Sequence, residues 1–134
     1  MKCEDLMIGD LVYHHNEVVR ITGIGQNLVT YIYYHYVDCE VSEIEPIPLS
    51  EEILEKNGFE GSPTRDLFIE MNLWETCALE VLPSEGSWIV RMCNAKANKY
   101  IYKYNKINLY IKYVHELQHA LRLFGIKKEI KYEM

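Results

Sequence analysis

The stretch that most constrains the fold is Tyr100 to Tyr132, "YIYKYNKINLYIKYVHELQHALRLFGIKKEIKY". Tyr110, Val114, Leu117, Leu121 and Phe124 recur three or four residues apart, which sets them on one stripe of a helix with 3.6 residues per turn. Gly125 stands where a C′ residue takes positive φ, and Ile126 at C″ is placed against Leu121 at C3. The spacing therefore predicts a helix from Tyr113 to Phe124 that ends in a Schellman turn. A tyrosine-rich strand precedes it and a short closing strand follows. The β pieces upstream need such a helix to cover them.

The same helix carries His115-Glu116-Leu117-Gln118-His119, an HExxH pattern. Two histidines four apart share a helix face and can both hold Zn²⁺, while the glutamate between them can act as general base toward metal-bound water. The third ligand of a zincin is the weak point. Position 129, where the extended metzincin motif wants a histidine, holds Glu129. Glu129 or Glu133 completes a shell only if the closing strand folds back over the motif. At about 100° per residue, His115 and His119 point about 160° from the centre of the apolar stripe, beside Lys112 and Arg122. The expectation is two solvated histidines, and no metal, cofactor or catalytic residue is assigned. The alternative is a zinc-dependent hydrolase with His115, His119 and Glu129 as ligands and Glu116 as base.

With 134 residues the chain holds one modest core. No basic leader precedes an apolar run, and no stretch reaches the roughly 18 apolar residues of a membrane span. The expectation is a cytoplasmic protein. Cys3, Cys39, Cys77 and Cys93 never form CxxC, so zinc-ribbon and thioredoxin-type readings fail, and reduced thiols in or near the core are expected. A net charge of −6 opposes general attraction to nucleic acid or an anionic membrane. Acids dominate up to Ser62 and bases from Lys96 to Lys131, a division that suits a protein partner, head-to-tail pairing of copies, or merely solvated faces.

In chain order, Asp10 to His14 and Glu17 to Thr22 read as a hairpin turning at His15-Asn16. Leu28 to Val37 reads as one long strand and Cys39 to Ser42 as a short fourth. Four short strands predict a small bent sheet or an SH3-like barrel over residues 1–49. His14, His15 and His35 can approach one another across it, but without acidic or cysteine company at metal spacing they read as structural. "EIEPIPL" from Glu43 is extended because of its prolines. Ser50 then caps a short helix, with Leu49 and Leu54 as its staple and Asn57-Gly58 as its stop. "EGSPTR" from Glu60 is the clearest loop. Beyond it, strands at Asp66 to Leu73, Cys77 to Leu82, Ser87 to Met92 and Lys99 to Tyr104 are joined by connections short enough for an antiparallel meander. The fold class is α+β: the N-terminal β unit, then residues 50–134 as linker helix, meander and C-terminal helix.

The eleven tyrosines are the unusual feature of the composition. An apolar ring with a wet hydroxyl suits half-buried strands and contact surfaces. Tyr31 and Tyr33 in the long strand, and Tyr100, Tyr102 and Tyr104 near Lys96, Lys99 and Lys106, are the candidate contact residues. Aromatics on a basic strand also serve single-stranded nucleic acid, a reading the acidic balance disfavours. The first reading of function is a non-enzymatic binding or accessory protein that contacts another protein. Zinc-dependent hydrolysis and single-strand binding are the alternatives.

"IEPIPLSEEILEKNGF" from Ile44 to Phe59 and "IKYVHELQHAL" from Ile111 to Leu121 resemble a group of small uncharacterised proteins of Bacteroides-type gut bacteria and their phages. The group combines an "IGD-V" β unit, a Pro-x-Pro-Leu linker and a Tyr-Val-His-x-Leu-Gln helix. In that resemblance Val114, His115, Leu117 and Gln118 fall on recurring positions and Glu116 and His119 on variable ones, which implies that HExxH is fortuitous. The resemblance carries no catalytic residue across and adds only a mobile-element context.

Overall fold

The computed structural model describes residues 1–61, 67–71, 77–95, 102–104, 108–126 and 129–132. Two compact units emerge, Met1–Leu49 with Tyr113–His119, and Ser50–Lys112 with Ala120–Glu133. Mixed sheet and helix content makes the protein α+β.

The first unit is a five-stranded antiparallel sheet of β1 (Leu11–His14), β2 (Glu17–Ile24), β3 (Leu28–Tyr33), β4 (His35–Glu40) and β5 (Ile44–Glu45), in the order β4-β3-β2-β1-β5. The hairpin between β1 and β2 turns at His15 and Asn16, both at positive φ, the type I′ geometry whose twist matches that of paired strands. Alternation then decides the core. Val12, Val19, Ile21, Val29, Tyr31, Cys39 and Ile44 pack together with Leu6. Strands β3 and β4 bury one side and wet the other, the ordinary state of an antiparallel sheet, whereas β1 is covered on both, with Leu11, Val12 and His14 all buried.

Two expectations for this unit are corrected. The stretch from Leu28 to Val37 is not one strand: the chain reverses at Tyr34, which takes φ +61, so β3 and β4 form a tight hairpin with Tyr33 opposite His35. No glycine, proline or asparagine marks that turn, and continuous β-formers hid it. Nor does the sheet close into an SH3-like barrel, because β4 and β5 stand at its two edges. The expected fourth strand, Cys39 to Ser42, divides between the end of β4 and a 3-10 turn at Val41–Glu43.

The second unit opens with α1 (Glu51–Lys56). Ser50 caps it, accepting the Ile53 amide at 3.3 Å. At its end the amides of Gly58 and Phe59 donate to Glu55 and Leu54, with Gly58 at φ +87, a full Schellman stop. Phe59 is buried, as the sequence leads one to expect. Six strands follow: β6 (Glu60–Gly61), β7 (Leu67–Met71), β8 (Cys77–Ser84), β9 (Ser87–Ala95), β10 (Tyr102–Tyr104) and β11 (Leu109–Ile111). They run β10-β9-β8-β7-β6, all antiparallel, and β11 also pairs with the first half of β9. Tyr110 therefore lies in a strand and is exposed, not at the head of the helical stripe. The residues at Leu109–Ile111 suit a pleated surface and find Trp88, Ile89 and Val90 opposite.

Helix α2 (Val114–Leu123) ends as its sequence dictates, with Gly125 at φ +73 and the amides of Gly125 and Ile126 donating to Arg122 and Leu121. The expected closing strand is absent from residues 129–132. The Asn57 side chain grips Lys131 instead, donating to its carbonyl at 2.8 Å and accepting from its amide at 2.7 Å. Among the described residues no helix is long and apolar enough to cross a membrane.

Candidate functional site

Three groups of side chains in the first unit were open to a functional reading. The first is the HExxH segment, and its histidines do not face water. His115 is only 5% exposed and His119 is half-buried. The reason lies in the polar residues of the Gly9-Asp10 turn, which make a polar helix face worth burying. Gln118 accepts the Leu11 amide through Oε1 and donates through Nε2 to the Gly9 carbonyl, both at 2.9 Å. His119 donates through Nε2 to Oδ2 of the fully buried Asp10 at 2.7 Å, and the same oxygen accepts the Met7 amide. Buried polar groups persist where they are paired in this way.

The motif's side chains are engaged in other contacts. The Nε2 of His119 is committed to Asp10. Glu116 turns back on its own helix and accepts the Tyr113 amide at 3.1 Å, the glutamate half of a capping box. The His115 ring stacks on Tyr113 and meets His119 edge-on with centroids 5.6 Å apart. Its Nδ1 is buried with no hydrogen-bond partner among the described residues. Burial pushes the His115 pKa down. The carboxylates of Asp10, Glu116 and Asp5 oppose that shift and His119 reinforces it. Glu129 lies in the second unit and is exposed, and Glu133 falls outside the described residues.

The second group is the β3–β4 hairpin. Its inner side enters the core, and there Tyr31 departs from expectation: it is 8% exposed, and its hydroxyl lies 2.6 Å from Nδ1 of His14. It belongs to the interior rather than to a contact surface. Burial raises its pKa, so it stays a neutral phenol. The outer side is different. Leu28, Ile32 and Tyr36 are exposed large side chains, with Ile32 and Tyr36 directly opposite across the ladder. Tyr33 and Tyr34 stack edge-on at the apex, 4.8 Å between centroids, and Tyr34 is 94% exposed. Asp38 and Glu40 continue the exposed row of β4 beyond Tyr36. Tyr33, named from the sequence as a candidate contact residue, is exposed, and so are Tyr34 and Tyr36, whose presentation depends on the turn that the sequence hid. Tyr102 and Tyr104 lie in β10, and Tyr100 falls outside the described residues.

The third group is His14, Cys39 and Glu43, whose ligand-type atoms all lie within 4.8 Å of one another. His15 sits beside His14 with ring centroids 4.0 Å apart, while His35 is exposed at the hairpin apex. The expected histidine approach is thus only partly realised, and the company His14 keeps is a thiol and a carboxylate. No sequence spacing announces a 14, 39 and 43 set. The signal was in the pairing: His14 opposite Ile44 brings Glu43 alongside. Compared with protein-family models, curated proteins and solved structures, the chain matches none.

Proposed function

We propose that this is a non-enzymatic binding protein that takes up an extended segment of another polypeptide along β4, in a cytoplasmic setting. What carries the reading is the exposed apolar row Leu28 and Ile32 of β3 and Tyr36 of the terminal strand β4, topped by Tyr33 and Tyr34, on the hairpin at the edge of a sheet. An edge strand offers a line of backbone donors and acceptors to an incoming strand, and side-chain contacts on the neighbouring face supply selectivity. Tyrosine is a favoured anchor for such contacts, since it buries much area while losing little rotamer freedom. Tyr34 adds a sharper hint. A tyrosine held at positive φ and open to solvent costs the fold energy and packs only against its neighbour Tyr33 in return.

The occupant follows from charge. Asp38 and Glu40 alternate with the core-facing residues of β4, and the chain carries −6 overall. The matching partner is an extended segment that alternates basic and apolar side chains. The test uses a synthetic alternating lysine–isoleucine octapeptide and amide NMR shifts of the full chain. Shifts centred on residues 28–40, with affinity reduced at least tenfold by Tyr36→Ser and unchanged by Tyr110→Ser, are expected. Shifts scattered over the surface, or a wild-type dimer that Tyr36→Ser dissociates, would overturn the reading. In the latter case the occupant is a second copy.

A further inference from the structure

We propose that His14, Cys39 and Glu43 form a binding site for a divalent transition-metal ion of the zinc class, with water as the fourth ligand.

Three donors of three kinds converge from β1, β4 and the 3-10 turn after it. Imidazole nitrogen, thiolate sulfur and carboxylate oxygen are the three ligand types that Zn²⁺ accepts, and in a tetrahedral site at bond lengths of about 2.0–2.3 Å they stand about 3.3–3.8 Å from one another. His14 Nε2 and Glu43 Oε2 are already 3.6 Å apart, too far for a hydrogen bond and close to a tetrahedral edge. The full set, spread within 4.8 Å, needs a contraction of about 1 Å. Glu43 can supply it, because its side chain is half exposed and already faces His14.

The histidine is prepared for the task. His14 is 93% buried by its 7% exposure, and Nε2 has no hydrogen-bond partner although it is shut off from solvent. The other ring nitrogen is held by Tyr31 at 2.6 Å. With Nδ1–H donating to the tyrosine oxygen, the lone pair sits on Nε2, which lies 3.6 Å from Glu43 Oε2. Metal-bound histidines are commonly oriented by such an outer partner. Burying an imidazole with an idle nitrogen otherwise costs the fold the hydration of that atom. Charge supports the same reading, because one thiolate and one carboxylate neutralise a divalent cation in a region where net charge is costly. A nucleophilic role for Cys39 fits less well, since reactive thiols are partly exposed and this one is buried.

Cobalt(II) titration of the full, reduced chain tests the site, because a thiolate ligand gives a near-ultraviolet charge-transfer band that oxygen and nitrogen ligands do not. About one equivalent is expected to bind with that band. Cys39→Ser should abolish the band, and Glu43→Gln, at an exposed position that does not threaten folding, should weaken binding roughly tenfold or more. His119→Ala should leave both unchanged. Zinc should displace cobalt and bleach the band. A folded wild type without the band, a band that survives Cys39→Ser, or affinity that Glu43→Gln leaves unaltered would overturn the proposal. Loss of binding in His119→Ala alone would move the metal to the terminal helix and overturn it equally.

Discussion

Tyr34 and His115 are each held where a different residue would be easier to hold, and each has a measurable consequence. Tyr34 adopts a left-handed backbone conformation that costs a residue with a side chain about 1 kcal/mol and glycine almost nothing. Because its ring is almost wholly in water, little packing is lost on removal. Tyr34→Gly is therefore expected to leave stability unchanged or raise it by up to about 1 kcal/mol in urea denaturation, while weakening peptide uptake along β4. A clear loss of stability would mean that the ring supports the fold. His115 works in the opposite sense. Burial lowers its pKa, against Asp10, Glu116 and Asp5 and with the help of His119, so the folded protein binds fewer protons there than the unfolded chain does. Its contribution is complete above the ordinary histidine pKa of about 6.5 and is lost as pH falls through that value toward the lowered one. His115→Phe, which keeps a ring and cannot charge, is expected to flatten the decline in unfolding free energy between pH 7.5 and pH 5.5. An unchanged slope would assign the acid sensitivity to other groups.

The helix that carries His115 teaches the main lesson at the scale of elements. Its termini were legible because capping chemistry is local: Gly125 and Ile126 close α2, and Gly58 and Phe59 close α1, by backbone bonds fixed within five residues. The I′ turn at His15 and Asn16 was legible for the same reason. The apolar stripe of Val114, Leu117 and Leu121 is buried as expected, but that the polar side of α2 is buried as well was not legible, because amphipathicity assumes that polar side chains want water. Gln118, His119 and Asp10 satisfy one another or nearby backbone across more than 100 residues of chain, and no periodicity encodes that. The same blindness hid the His14, Cys39 and Glu43 group, whose members meet only once the strands are in register. Gln118→Ala measures what the clamp is worth. It leaves the buried Leu11 amide without its acceptor, while the Gly9 carbonyl keeps the Arg20 guanidinium as donor, and a loss of about 2 kcal/mol is expected in chemical denaturation. A loss below about 0.5 kcal/mol would mean that water replaces the side chain readily.

For the whole molecule, charge separates the two binding readings better than shape does. Acids outnumber bases by 20 to 14, and the exposed row on β4 ends in Asp38 and Glu40. A nucleic-acid partner must release counterions onto cationic side chains to gain affinity, and each such contact makes binding fall steeply with salt. Stacking on tyrosines alone does not offset the approach of a polyanion to a surface of the same sign, since at physiological ionic strength repulsion still acts over a Debye length of about 8 Å. The expected outcome is that a fluorescent single-stranded oligonucleotide shows no saturable anisotropy change at physiological salt. The alternating lysine–isoleucine peptide should bind under the same conditions and weaken as salt is raised, because Asp38 and Glu40 attract it. Oligonucleotide binding with a steep inverse salt dependence would reverse the assignment and place the function on the basic stretch around Lys103 rather than on the hairpin.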